Sequence, residues 1–276
     1  MKVLIIGANG TLGGALRTEF SDEDVMSWDK DEIDIIDKDQ VNNKIRIVSP
    51  DLIINSAAYN DVDGCESNFE IANAVNGYAV GYLAEISEEL NIPIIQYSTG
   101  YVFGGEKNEG YNEEDNPEPI SKYGASKLLG EKELQIKTDK FYLIRTNLLF
   151  GDGGAGNSKK SFIDLMLGLA EQKDELQVVD NEISNPTYVK DLAKATFELV
   201  NKKYPFGIYH LVNEGKATWY DWAVEIFRIK NIDITVKPVN SNIFSRPAKR
   251  PKNSSLLNTK FPKFRSWEDA LREYLI

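Results

Sequence analysis

Lys2-Val3-Leu4-Ile5-Ile6-Gly7-Ala8-Asn9-Gly10-Thr11-Leu12-Gly13 decides the fold class of this chain. Lys2 to Ile6 is an apolar run of the length of a strand buried on both faces, and Ala15-Leu16-Arg17-Thr18-Glu19-Phe20 beyond it has a helical pattern. Glycines in the turn between them let the backbone bend tightly and approach a pyrophosphate. The helix N-terminus adds N–H groups and a positive dipole end. A second apolar stretch, Val25-Met26-Ser27-Trp28, ends at Asp29, where a carboxylate would accept the hydroxyls of an adenosine ribose.

The same alternation continues along the chain. Leu52–Asn55, Ile94–Tyr97, Phe141–Arg145 and Gly207–Leu211 read as further strands, and Tyr123–Glu133, Phe162–Ala170 and Trp219–Arg228 as helices. This order predicts an α/β fold, a Rossmann-like doubly wound parallel sheet with ligands outside the carboxyl ends of its strands. A smaller C-terminal substrate lobe is expected beside it. The expected division assigns 1–150 plus about 180–212 to dinucleotide binding, and about 151–179 plus 213–276 to the lobe. Gly151-Asp152-Gly153-Gly154-Ala155-Gly156 reads as a mobile loop between them or over the site.

Among 276 residues there is one cysteine, Cys65, so no disulfide framework exists and a reducing compartment is expected. The N-terminal apolar run becomes the glycine turn and lacks the length and cleavage site of a signal peptide. No apolar stretch is long enough to span a bilayer, so a cytoplasmic protein with no membrane partner is expected. A formal charge of −11 disfavours a nucleic-acid polymer as partner. Against that background Arg246-Pro247-Ala248-Lys249-Arg250-Pro251-Lys252 is a dense basic cluster, suited to a small anion such as a diphosphate.

Tyr123-Gly124-Ala125-Ser126-Lys127 opens a helical stretch, and a spacing of four puts the phenol and the ammonium on one face. A free tyrosine has a pKa of about 10, and a nearby positive charge favours the phenolate. That pairing predicts a proton donor beside a bound dinucleotide. Thr99, at the end of a strand, is a hydroxyl within the same chemistry.

Spacing of three and three between Gly7, Gly10 and Gly13 is typical of the short-chain dehydrogenase/reductase superfamily. The chain resembles its extended, nucleotide-sugar branch, the dTDP-4-dehydrorhamnose reductases. The resemblance rests on the glycine turn, Pro50 to Tyr59, Val75-Asn76, Ser98-Thr99 with Tyr101-Val102-Phe103, the Tyr123–Lys127 motif, Asn185-Pro186-Thr187, Tyr209-His210-Leu211, Thr218-Trp219-Tyr220, and Ala248-Lys249-Arg250-Pro251 with Ser254. It implies reduction of the C4 ketone of a nucleoside-diphosphate 4-keto-6-deoxy sugar by NADPH or NADH, in deoxysugar precursor synthesis, with a homodimer as the expected assembly. Thr99, Tyr123 and Lys127 are implied as the catalytic set, Thr99 stabilising the developing alkoxide, Tyr123 giving the proton and Lys127 also holding the nicotinamide ribose. Gly7, Asn9, Gly10, Thr11, Leu12, Gly13, Asp29, Asp34, Ile35, Ala57, Ala58, Tyr59 and Asn76 are implied as further cofactor contacts. Thr99, Tyr101, Asn147 and Arg250 are implied for the substrate.

The chain departs from that family where the sugar would lie. Gly100 and Gly104 stand where Asp is usual, and Arg145-Thr146-Asn147-Leu148 lacks the usual Ser-Trp. Gly13-Gly14-Ala15 offers no acidic residue for a metal, so none is expected. A dehydratase would need Asp-Glu after Thr99, which Gly100-Tyr101 does not supply. A 4-epimerase, or a non-catalytic subunit like the relatives accompanying methionine adenosyltransferase, remains as an alternative. His210 and the pair Trp219 and Trp222 are expected in the core, and Glu113-Glu114-Asp115 in a solvated loop.

Overall fold

A computed structural model describes residues 1–152 and 161–276. Six parallel strands form one sheet, in the order Gly207–His210, Phe141–Thr146, Ile94–Thr99, Leu52–Asn55, Lys2–Ile6 and Asp24–Trp28. Alternate side chains serve opposite faces. Val3, Ile5, Leu52, Ile54, Ile95, Tyr97, Tyr142 and Ile144 pack into one apolar cluster, while Leu4, Ile6, Ile53, Ile94 and Leu143 pack into another. Both faces are thus covered, which explains why these strands read as unbroken apolar runs.

From its first strand the chain runs outward to Asp24–Trp28 and then returns to the other side, so the direction of winding reverses between Lys2–Ile6 and Leu52–Asn55. Gly7 and Ser56 follow the carboxyl ends of those strands. A crevice at such a reversal is where doubly wound sheets take their ligands.

Helix Thr11–Glu19 begins four residues earlier than its apolar pattern shows, directly from the glycine turn. Helix Lys122–Lys137 starts at Ser121, whose hydroxyl accepts a 3.2 Å hydrogen bond from Gly124 N. Helices Phe162–Ala170 and Trp219–Lys230 each carry a capping box, Ser161 with Asp164 and Thr218 with Asp221. Three small two-stranded sheets accompany them: Glu175–Val179 with Thr235–Val239, Ile183–Ser184 with Ala217–Thr218, and Leu149–Phe150 with Thr187–Tyr188. One apolar cluster runs from Val3 and Ile5 through Met166, Leu176 and Trp222 to Leu271. The glycine-rich stretch expected to be mobile lies, from Gly153 on, outside the described residues.

His210 is fully buried, as its strand pattern implied. Burial lowers its pKa to about 4. Glu113 is a correction. Its sequence neighbourhood reads as a solvated loop, yet it is 4% exposed, and its carboxylate accepts hydrogen bonds from His210 N at 3.2 Å and from the Thr259 hydroxyl at 2.6 Å. Only Glu114 follows the expectation of an open loop, while Asp115 is half-buried and held by Lys107 and the Asn112 N–H.

Candidate active site

Gly7 takes φ +77°, and a Cβ there would lie 2.6 Å from Ala57 N, so conformation and space both require glycine. Its N–H and that of Ala8 donate to Trp28 O at 2.9 and 3.1 Å. Asn9 N donates to Asp29 Oδ2 at 3.0 Å. A cavity of about 560 Å³ opens beside this turn, lined by Gly7, Asn9, Gly10, Asp29, Lys30, Asp34, Ile35, Ala57 and Ala58 among others. A second cavity, about 410 Å³, shares Gly10, Ser56, Ala57, Ala58 and Asn60 with it and adds Thr11, Leu12, Gly13, Thr99, Tyr123, Lys127, Thr146, Asn147 and Leu148.

The three residues assigned to proton transfer therefore meet in one cavity, although 28 positions separate Thr99 from Lys127. Lys127 is 5% exposed, and its Nζ donates to the Tyr97 carbonyl at 2.7 Å. Burial lowers its pKa to about 8, with the Glu131 carboxylate acting the other way. Tyr123 differs from expectation. Burial pushes its phenol above the usual range, against a hydrogen bond from Thr99 that lowers it, and Lys127 gives no counterweight. Without a ligand the phenol is thus held protonated, the form a donor requires. Its hydroxyl donates to Asn60 Oδ1 at 3.5 Å, and the Tyr101 ring stands edge-on to it at 6.0 Å.

Behind these residues lies a buried polar network. Arg145 donates to both oxygens of Glu131, from Nε at 3.0 Å and from Nη2 at 2.7 Å, and Ser98 Oγ donates to Glu131 Oε1 at 2.5 Å. Arg145 Nη1 lies 3.4 Å from His210 Nε2, while His210 Nδ1 lies 3.1 Å from Tyr111 O. A neutral imidazole protonated on Nδ1 satisfies both contacts, in keeping with its lowered pKa. The network joins the helix of Tyr123 and Lys127 to the strands that end at Thr99 and Thr146.

Asn76 and Tyr59 stand outside the walls of both cavities. Asn76, 1% exposed, sits in the π-helical segment Ala74–Tyr78. Its carboxamide exchanges two hydrogen bonds with the Tyr59 backbone, at 2.8 and 3.0 Å, and donates to Ser126 Oγ at 3.0 Å. With those groups engaged it braces the Ala57-Ala58-Tyr59 segment against the helix of Tyr123.

Asn147 lines the cavity, but its oxygen accepts from Gly100 N at 3.0 Å and its nitrogen donates to Ser254 O at 2.7 Å. A Cβ on Gly100 would lie 2.4 Å from Ser254 O and 2.6 Å from Asn147 Oδ1. The two departures from the family pattern, Gly100 and Asn147, are thus one packing solution. Leu148 beside them holds φ +38°, a conformation that L side chains rarely adopt.

Arg250 also lies outside both cavities, as does Tyr101. Its guanidinium is 12% exposed and already bound by Asp63. Arg246 is paired with Glu182. Half of the basic cluster is therefore neutralised by carboxylates remote in sequence. Asp63, Asn60 and Thr146 are not marked as site residues by the sequence; Asn60 directly follows the quoted Ala57-Ala58-Tyr59 stretch and Thr146 lies within Arg145-Thr146-Asn147-Leu148, whereas nothing local marks Asp63.

The residues present fit a dinucleotide. Gly10 gives helix Thr11–Glu19 no side-chain cap, and the helix start lines the shared cavity. Asp29 lines the first cavity and Lys127 the second, and the two cavities share Gly10, Ser56, Ala57, Ala58 and Asn60.

The family model described as the RmlD substrate binding domain matches residues 1–276. The spore coat polysaccharide biosynthesis protein SpsK of Bacillus subtilis is 35% identical over 280 residues, covering 99% of this chain and 96% of its own. A crystal structure of a dTDP-4-dehydrorhamnose reductase from Clostridium acetobutylicum superposes with a TM-score of 0.95 at 37% identity, covering 100% of this chain and 98% of the other. A dTDP-4-dehydrorhamnose reductase from Bacillus anthracis, in complex with NADP, gives 0.93 at 34% identity and covers 99% and 98%.

Proposed function

Since the chain belongs to the family of the RmlD substrate binding domain, we propose that it reduces the C4 ketone of a nucleoside-diphosphate 4-keto-6-deoxy sugar, using NADPH or NADH. The observation that carries this reading is the meeting of Thr99, Tyr123 and Lys127 in a cavity continuous with the glycine turn. When bound, a reduced nicotinamide would supply hydride to the carbonyl carbon. The Thr99 hydroxyl donates to the carbonyl oxygen as it gains charge, and the Tyr123 phenol transfers its proton to that oxygen to give the alcohol. The Lys127 ammonium, in the same cavity, would hold the ribose of the bound cofactor.

In this reading, 1–150 with about 180–212 binds the dinucleotide, and about 151–179 with 213–276 receives the sugar. Gly100 leaves no acid beside Thr99, so elimination of water is disfavoured relative to reduction. A cytoplasmic location accompanies the reading, with one cysteine in the chain and, among the described residues, no helix long and apolar enough to cross a membrane.

The test is oxidation of NADPH and of NADH by the purified protein over a panel of nucleotide sugars that includes dTDP-4-keto-6-deoxy hexoses. Oxidation dependent on the keto sugar, with the alcohol recovered as product, supports the proposal. Tight cofactor binding without oxidation of any of them would return the chain to the non-catalytic alternative.

A further inference from the structure

Thr146 ends the strand Phe141–Thr146 and is the register partner of Thr99 on the neighbouring strand. The two hydroxyls differ in their surroundings. Thr99 Oγ1 accepts from Tyr101 N at 3.2 Å. Thr146 Oγ1 has no partner among the described residues, and the residue is 5% exposed. An enclosed hydroxyl without a hydrogen bond costs free energy, and folded proteins rarely keep one without a reason.

Two other buried side-chain atoms lack a partner among the described residues, Asn42 Oδ1 and Trp222 Nε1, and neither residue lines the two cavities of the site. Thr146 does line the second. The same cavity is lined by Leu12, Leu148 and Leu149, apolar surface against which a flat ring can lie, and by Tyr123 and Lys127. The carboxamide is the one polar substituent of a nicotinamide ring, and it needs partners that the leucines cannot give. A rotation about χ1 exchanges the methyl and hydroxyl of a threonine without moving the backbone.

On these grounds, and resting on the dinucleotide reading above, we infer that Thr146 is a cofactor-binding residue whose hydroxyl pairs with the nicotinamide carboxamide. The free protein then carries an unsatisfied hydroxyl, which the bound cofactor satisfies.

Thr146→Val tests this, because valine keeps the shape and removes only the hydroxyl. The variant should be at least as heat-stable as the wild type, since nothing pairs with the lost group, and should bind NADPH roughly three- to ten-fold more weakly in a fluorescence titration without substrate. Thr146→Ser, which keeps the hydroxyl, should bind within about two-fold of wild type. Unchanged NADPH affinity in Thr146→Val, with or without a higher KM for the keto sugar, overturns the inference and leaves the cofactor reading standing. A wild type that binds neither NADPH nor NADH overturns both.

Discussion

Asp63 holds Arg250 in a two-pronged grip, Oδ1 to Nη1 at 2.6 Å and Oδ2 to Nη2 at 2.7 Å, across 187 positions of sequence. The same carboxylate accepts from Ala248 N at 3.0 Å. The guanidinium keeps Asp63 well below the usual carboxylate range, at about 2. The two-pronged face of the guanidinium that would receive a diphosphate is thus occupied by a carboxylate of the protein itself, so an anion binding there must displace Asp63.

Opposite effects on substrate affinity follow from that exchange. Arg250→Ala should raise the KM for the nucleotide sugar roughly ten-fold or more and leave the cofactor KM unmoved, while Asp63→Asn should lower it, because the guanidinium is released. Steady-state kinetics of both variants decide this. If both only lose thermal stability, the pair is a strut. The Asp63 pKa is depressed in the folded state, so the pair's contribution is fully present above about pH 4 and is lost as pH falls towards about 2. Since Asp63 is 36% exposed, solvent screening limits that contribution to on the order of 1 kcal/mol.

Tyr123→Phe should lower kcat by roughly 10² to 10⁴ while leaving NADPH affinity nearly unchanged, because the proton donor is lost and the ring is kept. Rapid kinetics with a parallel fluorescence titration separate the two quantities. A variant retaining more than half of wild-type turnover contradicts the assignment of Tyr123 as the acid.

Asp29→Ala should shift preference from NADH towards NADPH. The Asp29 carboxylate accepts from Asn9 N at 3.0 Å at the edge of the first cavity, where it would repel a 2′-phosphate. Its loss frees that N–H and leaves Lys30 beside the same space. The ratio of kcat/KM for the two cofactors is the measurement, and an unchanged ratio shows that Asp29 does not face the adenosine ribose.

Lys127 should give cofactor binding an alkaline limit. Its pKa is lowered to about 8, so the ammonium loses its proton as pH rises through that value, and NADPH affinity should weaken there. For stability the sign is reversed: the unfolded chain holds that proton up to about pH 10.4, so between about 8 and 10.4 the lysine makes the folded state gain stability as pH rises. Lys127→Met should remove both trends. Titrations and thermal melts across that range check it, and a pH-independent wild-type affinity refutes the assigned role.

The sequence alone determined the parallel sheet, the glycine turn and the pairing of Tyr123 with Lys127. Each is read from local patterns: an apolar run means a buried strand, a spacing of four means one helix face, and glycine marks where a backbone bends. What the tertiary structure decided is the partner of each polar group. Glu113 reads as a loop acid until His210 and Thr259 are seen to donate to it. Arg250 reads as a free cation until Asp63 takes its fork. The sequence does not say what Asn76 holds until its carboxamide is found bonded to Tyr59 and Ser126. Apolar burial follows a period that local sequence carries, whereas a buried charge or amide is tolerated only where a specific partner meets it, and only the folded chain brings those partners within hydrogen-bond distance.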